Sequence, residues 1–135
     1  MSYGKQAARY REMEVMSATP GQLVVLLYDH LLVSLRRARM AIEAGEIERR
    51  LELLDRSRAV VGELLSTLDF EQGGDLANRL RSLYSFLYCE LLDQSTRPDT
   101  ARLDRLTRIV DELRDAWATV ATQSVADRPL AAANA

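Results

Sequence analysis

Apolar residues dominate the stretch from Leu23 to Val33, which directly follows a helix-start signal. Thr19 supplies a side-chain acceptor for free backbone N–H groups, Pro20 suits the first helical position, and Gln22 lies where a capping box needs a glutamine. The stretch therefore predicts a helix that is apolar on nearly every side. It is too short and too interrupted to span a membrane, so we expect it to be buried, partly against a partner.

Apolar positions recur at helical spacing over four segments, 20–44, 46–68, 75–94 and 99–122, which Gly45 and the runs 72–75 and 96–99 separate. Their similar lengths and short turns predict an all-α fold, an antiparallel up-down four-helix bundle. The predicted inward stripes are, in chain order, Val24, Tyr28, Leu31, Leu35, Ala38 and Ile42; Ile47, Leu51, Leu54, Val61, Leu65 and Leu68; Leu76, Leu80, Leu83, Leu87 and Leu91; and Leu103, Leu106, Val110, Leu113, Trp117 and Val120.

The two ends of the chain differ from this pattern. Tyr3, Ala7 and Tyr10 share one helical face, with Met13 near its edge. A helix this short is marginal alone in water, so residues 1–18 are predicted to be a mobile cap segment that packs on the bundle. The bundle itself is predicted for residues 19–122. Residues 123–135 are Ala-rich and polar, and we expect them to be a disordered tail.

Composition narrows the classes of function. A chain of 135 residues suits one domain, and a net charge of −2 gives no electrostatic case for nucleic-acid binding. Cys89 is the only cysteine, so an intramolecular disulfide is excluded and a reducing compartment is suitable. The N-terminus has no continuous apolar core of a signal peptide, and no stretch is a transmembrane candidate. We therefore expect a cytosolic protein without direct membrane insertion.

The residues that enzymes and metal proteins of this architecture use are missing from the sequence. Carboxylate-bridged metal bundles need paired Glu-x-x-His motifs, whereas His30 is the only histidine and Leu27 stands three residues before it. A hydrolytic triad finds no support, and the pair Gly73-Gly74 lacks the Lys-Ser/Thr of a phosphate loop. We predict no catalytic residue, no metal ligand and no cofactor.

Apolar residues also occur outside the four predicted stripes. A core-facing helix carries a wide apolar face, so many of them are core, but one bundle centre cannot hold them all. The remainder would form a groove for an amphipathic partner helix or a homodimer face, and the pattern leaves these alternatives open. The residues in question are Val25, Leu32, Val33, Met40, Leu53, Val60, Leu64, Tyr84, Phe86, Tyr88 and Leu92.

Several blocks of the chain, taken together and in order, resemble the FliS family of flagellar secretion chaperones. The likeness covers roughly residues 10–120, whereas Tyr88-Cys89-Glu90 departs from the basic residues expected at that place. The matching blocks are Tyr10, Ser17–Leu23, Leu27–Asp29, Ala41–Glu46, Leu68–Leu80, Leu83-Tyr84 and Leu113–Trp117.

The resemblance implies a cytosolic bundle that binds the C-terminal segment of flagellin, prevents its premature polymerisation and delivers it to the membrane export gate. It also implies that the N-terminal segment with its tyrosine lies over the binding surface until it is displaced. The alternative is a structural homodimer or adaptor. The residues predicted to bind the partner are Tyr3, Tyr10, Met13, Val25, Leu32, Val33, Met40, Leu53, Val60, Leu64 and Phe86.

Overall fold

A computed structural model describes residues 19–121, which form four α-helices. They are α1 (Pro20–Glu43), α2 (Ile47–Ser66), α3 (Phe70–Thr96) and α4 (Thr100–Ala121). α1 packs along both α2 and α4, and α2 packs along α3, whereas close approach of α3 to α4 is much less extensive. The described residues contain no strand, which confirms the predicted all-α bundle. The predicted cap segment 1–18 and tail 123–135 lie outside the described residues.

The predicted start of α1 is confirmed in atomic detail. Thr19 Oγ1 accepts a hydrogen bond from the backbone N–H of Gln22 at 3.2 Å, and the Gln22 side chain accepts one from the Thr19 N–H at 3.0 Å. This reciprocal capping box satisfies two backbone donors that the helix leaves free. The apolar stripe of α1 lies in the core as predicted, with Ile42 half-buried at its end.

None of the described helices is both long and apolar enough to cross a bilayer.

The predicted inward face of α2 is wrong at its first turns. Ile47 and Leu51 are exposed, although the stripe placed them inside. Leu53 and Leu64 are buried instead, on a face that also contains a buried serine, Ser57. The Ser57 hydroxyl donates to the carbonyl oxygen of Leu53 at 2.9 Å, so its own helix satisfies it. A polar residue on the buried face shifted the apolar pattern and hid the true orientation of the helix.

α3 begins one turn earlier than predicted and bends where the sequence breaks. Asp69 caps its first turn, because Oδ1 accepts from the N–H groups of Glu71 and Gln72, each at 3.0 Å. The backbone then leaves the helical region at Gly74, with φ 52° and ψ −127°, and the long helix continues from Asp75. The predicted break at the glycine pair is therefore present as a kink inside α3.

We expect Gly74→Ala to lower the free energy of unfolding by about 1–3 kcal/mol. A side chain at positive φ is strained, although a Cβ here would meet no neighbouring atom, so the loss comes from the backbone alone. Urea denaturation measures it, with Asp75→Ala on the next exposed residue as control. A Gly74→Ala protein as stable as the wild type would show that this kink is not required.

Polar contacts fix the α3–α4 turn. Gln94 is buried, and its amide donates to the carbonyl oxygen of Asp99 at 3.0 Å and accepts from the Asp99 N–H at 2.8 Å. The guanidinium of Arg102 pairs with Glu90 and with Asp93 across the same end. Hydrogen bonds from Arg97 and Arg102 also lower the pKa of the Asp93 carboxyl. α3 and α4 are thus held together at the turn.

Candidate partner-binding surface

A buried polar pair joins α1 to α3 beneath the surface. The hydroxyl oxygens of Tyr28 and Tyr84 are 2.5 Å apart, and both side chains are fully buried. Burial raises the pKa of both phenols, that of Tyr84 to about 12, so both stay protonated at neutral pH. The protonated pair therefore stabilises the fold fully below about pH 10, the ordinary pKa of tyrosine. This stabilisation is lost as the pH rises from there towards 12, the raised pKa of Tyr84.

Some of the residues that carry the family resemblance lie in the same core as this pair or link its helices. Arg114 Nε donates to Asp29 Oδ1 at 2.8 Å and joins α4 to α1. Trp117, one turn along α4, is fully buried in the same core as Tyr28 and Tyr84. These matched residues therefore hold three helices together, and their burial keeps the two tyrosines and the tryptophan from contacting a partner.

We expect Tyr28→Phe and Tyr84→Phe each to lower the free energy of unfolding by about 1–3 kcal/mol, since each leaves the other hydroxyl buried without its partner. The double variant removes both hydroxyls, so its loss should be smaller than the sum of the two single losses. Urea denaturation of the four proteins near pH 7 measures this coupling. Additive losses would show that the two hydroxyls do not depend on each other.

Large apolar side chains are exposed on three parts of the described bundle. Val33 and Met40 lie on α1, and Met40 and Ile47 line adjoining open clefts at the α1–α2 turn together with Glu46 and Arg49. A second set, Leu51, Tyr88 and Leu92, lies on α2 and α3. Phe86, two residues before Tyr88, is exposed on a different face of α3. The exposed residues are Val33, Met40, Ile47, Leu51, Phe70, Phe86, Tyr88 and Leu92.

The residues predicted to bind a partner divide into four groups. Val33, Met40 and Phe86 are exposed, at 43%, 67% and 47%. Val25 and Val60 are half-buried against the core. The remaining two groups are Leu32, Leu53 and Leu64, which are fully in the core, and Tyr3, Tyr10 and Met13, which lie outside the described residues.

Burial corrects the expectation for Leu32, Leu53 and Leu64. At most 4% of each side chain is exposed, so a partner could touch them only if the bundle opened. The prediction assigned them to the partner surface because they fall outside the narrow apolar stripe of each helix. The buried face of a bundle helix is wider, since its two flanks contact two different neighbours.

The sequence analysis named Tyr88 and Leu92 among the apolar residues outside the stripes, but it did not predict that they lie with Leu51 along an α2–α3 seam. We use this name for the outer edge between the two helices, where Leu51, Tyr88 and Leu92 are exposed. Arg50 and Arg58 of α2 both donate to Ser95 of α3, to its carbonyl oxygen at 3.0 Å and to its hydroxyl at 2.9 Å. These two arginines, bonded to different oxygens of one serine, hold the antiparallel helices side by side, and the apolar residues beyond them stay exposed.

The described residues offer little chemistry other than apolar contact. They contain no cluster of histidine, cysteine, aspartate or glutamate that could hold a metal ion. His30 is exposed on α1, and the Cys89 thiol is exposed on α3.

Comparison with known proteins identifies the family. The family model described as "Flagellar protein FliS" matches residues 3–124. Flagellar secretion chaperone FliSB of Pseudomonas aeruginosa is 33% identical over 78% of this chain and 84% of its own length. Flagellar secretion chaperone FliS of Salmonella typhimurium is 30% identical over 84% of each chain, and that of Bacillus subtilis is 32% identical over 80% of each. The chain belongs to the FliS family of flagellar proteins.

Proposed function

We propose that this chain is an export chaperone that binds the C-terminal segment of flagellin on its exposed apolar surface. The similar proteins named as flagellar secretion chaperones support the role, and the exposed side chains on α1, α2 and α3 supply a surface for it. The single observation that carries the proposal is this amount of exposed apolar surface on a bundle whose core is already filled. Covering it would keep flagellin from polymerising in the cytosol before delivery to the export gate.

Binding would be coupled to folding of the flagellin segment. Ordering a disordered segment costs about 2–5 kcal/mol of the gross interaction energy, which burial of apolar surface must offset. A groove between helices suits a partner that becomes helical and presents one apolar face. Such an interface should give a negative heat-capacity change and only a modest dependence on salt.

The role of the N-terminal segment is part of the same proposal and rests on the family resemblance. Tyr3, Tyr10 and Met13 would shield the apolar surface until flagellin displaces them. Tyr10→Ala should then change the affinity for flagellin without altering the thermal midpoint of the bundle. An unchanged affinity would count against a covering role.

A polymerisation assay tests the proposed function. Monomeric flagellin from the same organism, seeded with filament fragments, should elongate slowly or not at all when this chain is present in equimolar amount. Flagellin with its C-terminal segment removed should show no association with the chain on gel filtration. Unchanged elongation, together with a stable homodimer that flagellin does not affect, would contradict the proposal and favour the structural alternative.

A further inference from the structure

Gly62 lies in the middle of α2, and nothing in the described fold requires a glycine there. A Cβ built at this position meets no atom within 4 Å, and the backbone does not have the positive φ that explains Gly45 and Gly74. Glycine is a poor residue for a helix interior because it costs backbone entropy. Because the packing of the described helices does not require a glycine at position 62, its missing side chain leaves room for the backbone of a partner to approach α2 closely.

Gly62 lies one turn after Arg58 on the same flank of α2, and Arg58 bonds to Ser95 of α3, so Gly62 borders the α2–α3 seam. The bonds from Arg50 and Arg58 to Ser95 set the antiparallel register of the two helices, which places Gly62 beside the stretch of α3 that ends at Tyr88. Tyr88 is 40% exposed, and Leu92 one turn further is 52% exposed. The seam thus has exposed apolar side chains on α3 and no side chain at Gly62 on α2.

Arg50 and Arg58 border this seam, and Arg81 lies on α3 seven residues before Tyr88, although the whole chain carries −2. Arg58 pairs with Asp55 at 2.7 Å. Arg81 lies over the ring of Phe70, 5.8 Å from its centre, and neither Arg81 nor Arg50 has an ion-pair partner among the residues that the structure describes. A partner that places acidic side chains beside its apolar ones would complement these guanidinium groups.

We propose that an amphipathic helix of the exported substrate crosses α2 at Gly62, with its apolar face against Tyr88 and Leu92 and its acidic residues towards Arg81. The inference rests on the proposed function, because it takes flagellin as the source of that helix. The new elements are the crossing point at Gly62 and the acidic residues of the bound helix. Gly62 acts in binding by admitting the helix backbone, and a side chain there would block it.

Three variants of the full chain test the crossing point, with a peptide of the C-terminal flagellin segment as the probe in calorimetric titration. Gly62→Ala should raise the thermal midpoint, because alanine favours the helix and meets open space. Gly62→Leu should keep a midpoint at or above that of the wild type and weaken peptide binding at least tenfold. Ala116→Leu, at an exposed position of α4, is the matched control and should bind like the wild type, because α4 packs on α1 and away from the seam.

The outcomes separate this inference from the function on which it rests. Wild-type binding together with Gly62→Leu binding within twofold of it would overturn the crossing point and leave the chaperone function intact. Absence of wild-type binding, with both components soluble, would overturn the proposed function and the inference with it. Arg81→Gln should weaken binding several-fold and reduce its dependence on salt. An unchanged salt dependence would contradict the acidic character of the helix.

Discussion

Trp117→Ala is expected to lower the free energy of unfolding by about 3–5 kcal/mol, as large aromatic residues do when they are removed from a core. Trp117 is fully buried on α4, in the same apolar cluster as Tyr28 and Tyr84. Its removal would leave a cavity among these side chains, so most of the loss comes from packing. Native domains are stable by only about 5–15 kcal/mol, and this one substitution removes a large share.

Thermal and urea denaturation measure this loss. Trp117→Phe keeps an aromatic ring in the site and should retain more than half of the stability that the alanine variant loses, since the remaining cavity is smaller. Ala116→Ser, at the exposed neighbouring position, serves as the control and should stay within about 0.5 kcal/mol of the wild type. A Trp117→Ala protein that is destabilised by less than about 1 kcal/mol would contradict the position of this residue at the centre of the core.

The double substitution Tyr88→Asp with Leu92→Asp should weaken binding of the flagellin segment at least about 100-fold. Each apolar side chain contributes about 1.5–3 kcal/mol when it is fully buried, and both are about half exposed in the free bundle, so about 1.5–3 kcal/mol is available from the pair. Tenfold in affinity corresponds to about 1.4 kcal/mol. New carboxylates beside apolar contacts add a desolvation cost to this loss.

The fold of the double variant should survive, because both positions already face solvent. The helical circular dichroism and thermal midpoint would verify this before titration. Ala116→Asp, at an exposed position of α4, is the matched control for the added charge. The pair Val33→Asp with Met40→Asp on α1 compares a second exposed patch. Equal binding by the Tyr88/Leu92 variant and the wild type would remove the α2–α3 seam from the proposed interface.

The sequence was informative where the signal is local. A capping box depends on residues three positions apart, and the stripes of α1 and α4 contain no polar interruption, so their orientation followed from spacing. The face of α2 did not, because buried Ser57 breaks the apolar pattern while its hydroxyl bonds to its own helix. The exposed Ile47 and Leu51 were consequently placed inside.

The candidate surface was harder to predict because it depends on which helices meet. Tyr28 and Tyr84 are 56 residues apart, and no spacing rule indicates that their hydroxyls touch. Burial of Leu53 and exposure of Tyr88 likewise depend on how α2 and α3 lie against each other, which the bonds of Arg50 and Arg58 to Ser95 help to fix. The spacing of apolar residues identifies the apolar side of each helix. It does not show which flank of that helix a neighbouring helix covers.

The most direct test of the central claim is calorimetric titration of the full chain with a peptide of the C-terminal segment of flagellin from the same organism. The account predicts tight binding with a negative heat-capacity change and a gain of helical circular dichroism by the peptide, because the segment folds as it covers apolar surface. The absence of binding with both components soluble would contradict it. Binding that disappears at moderate salt would also contradict it, since the contact would then be mainly electrostatic.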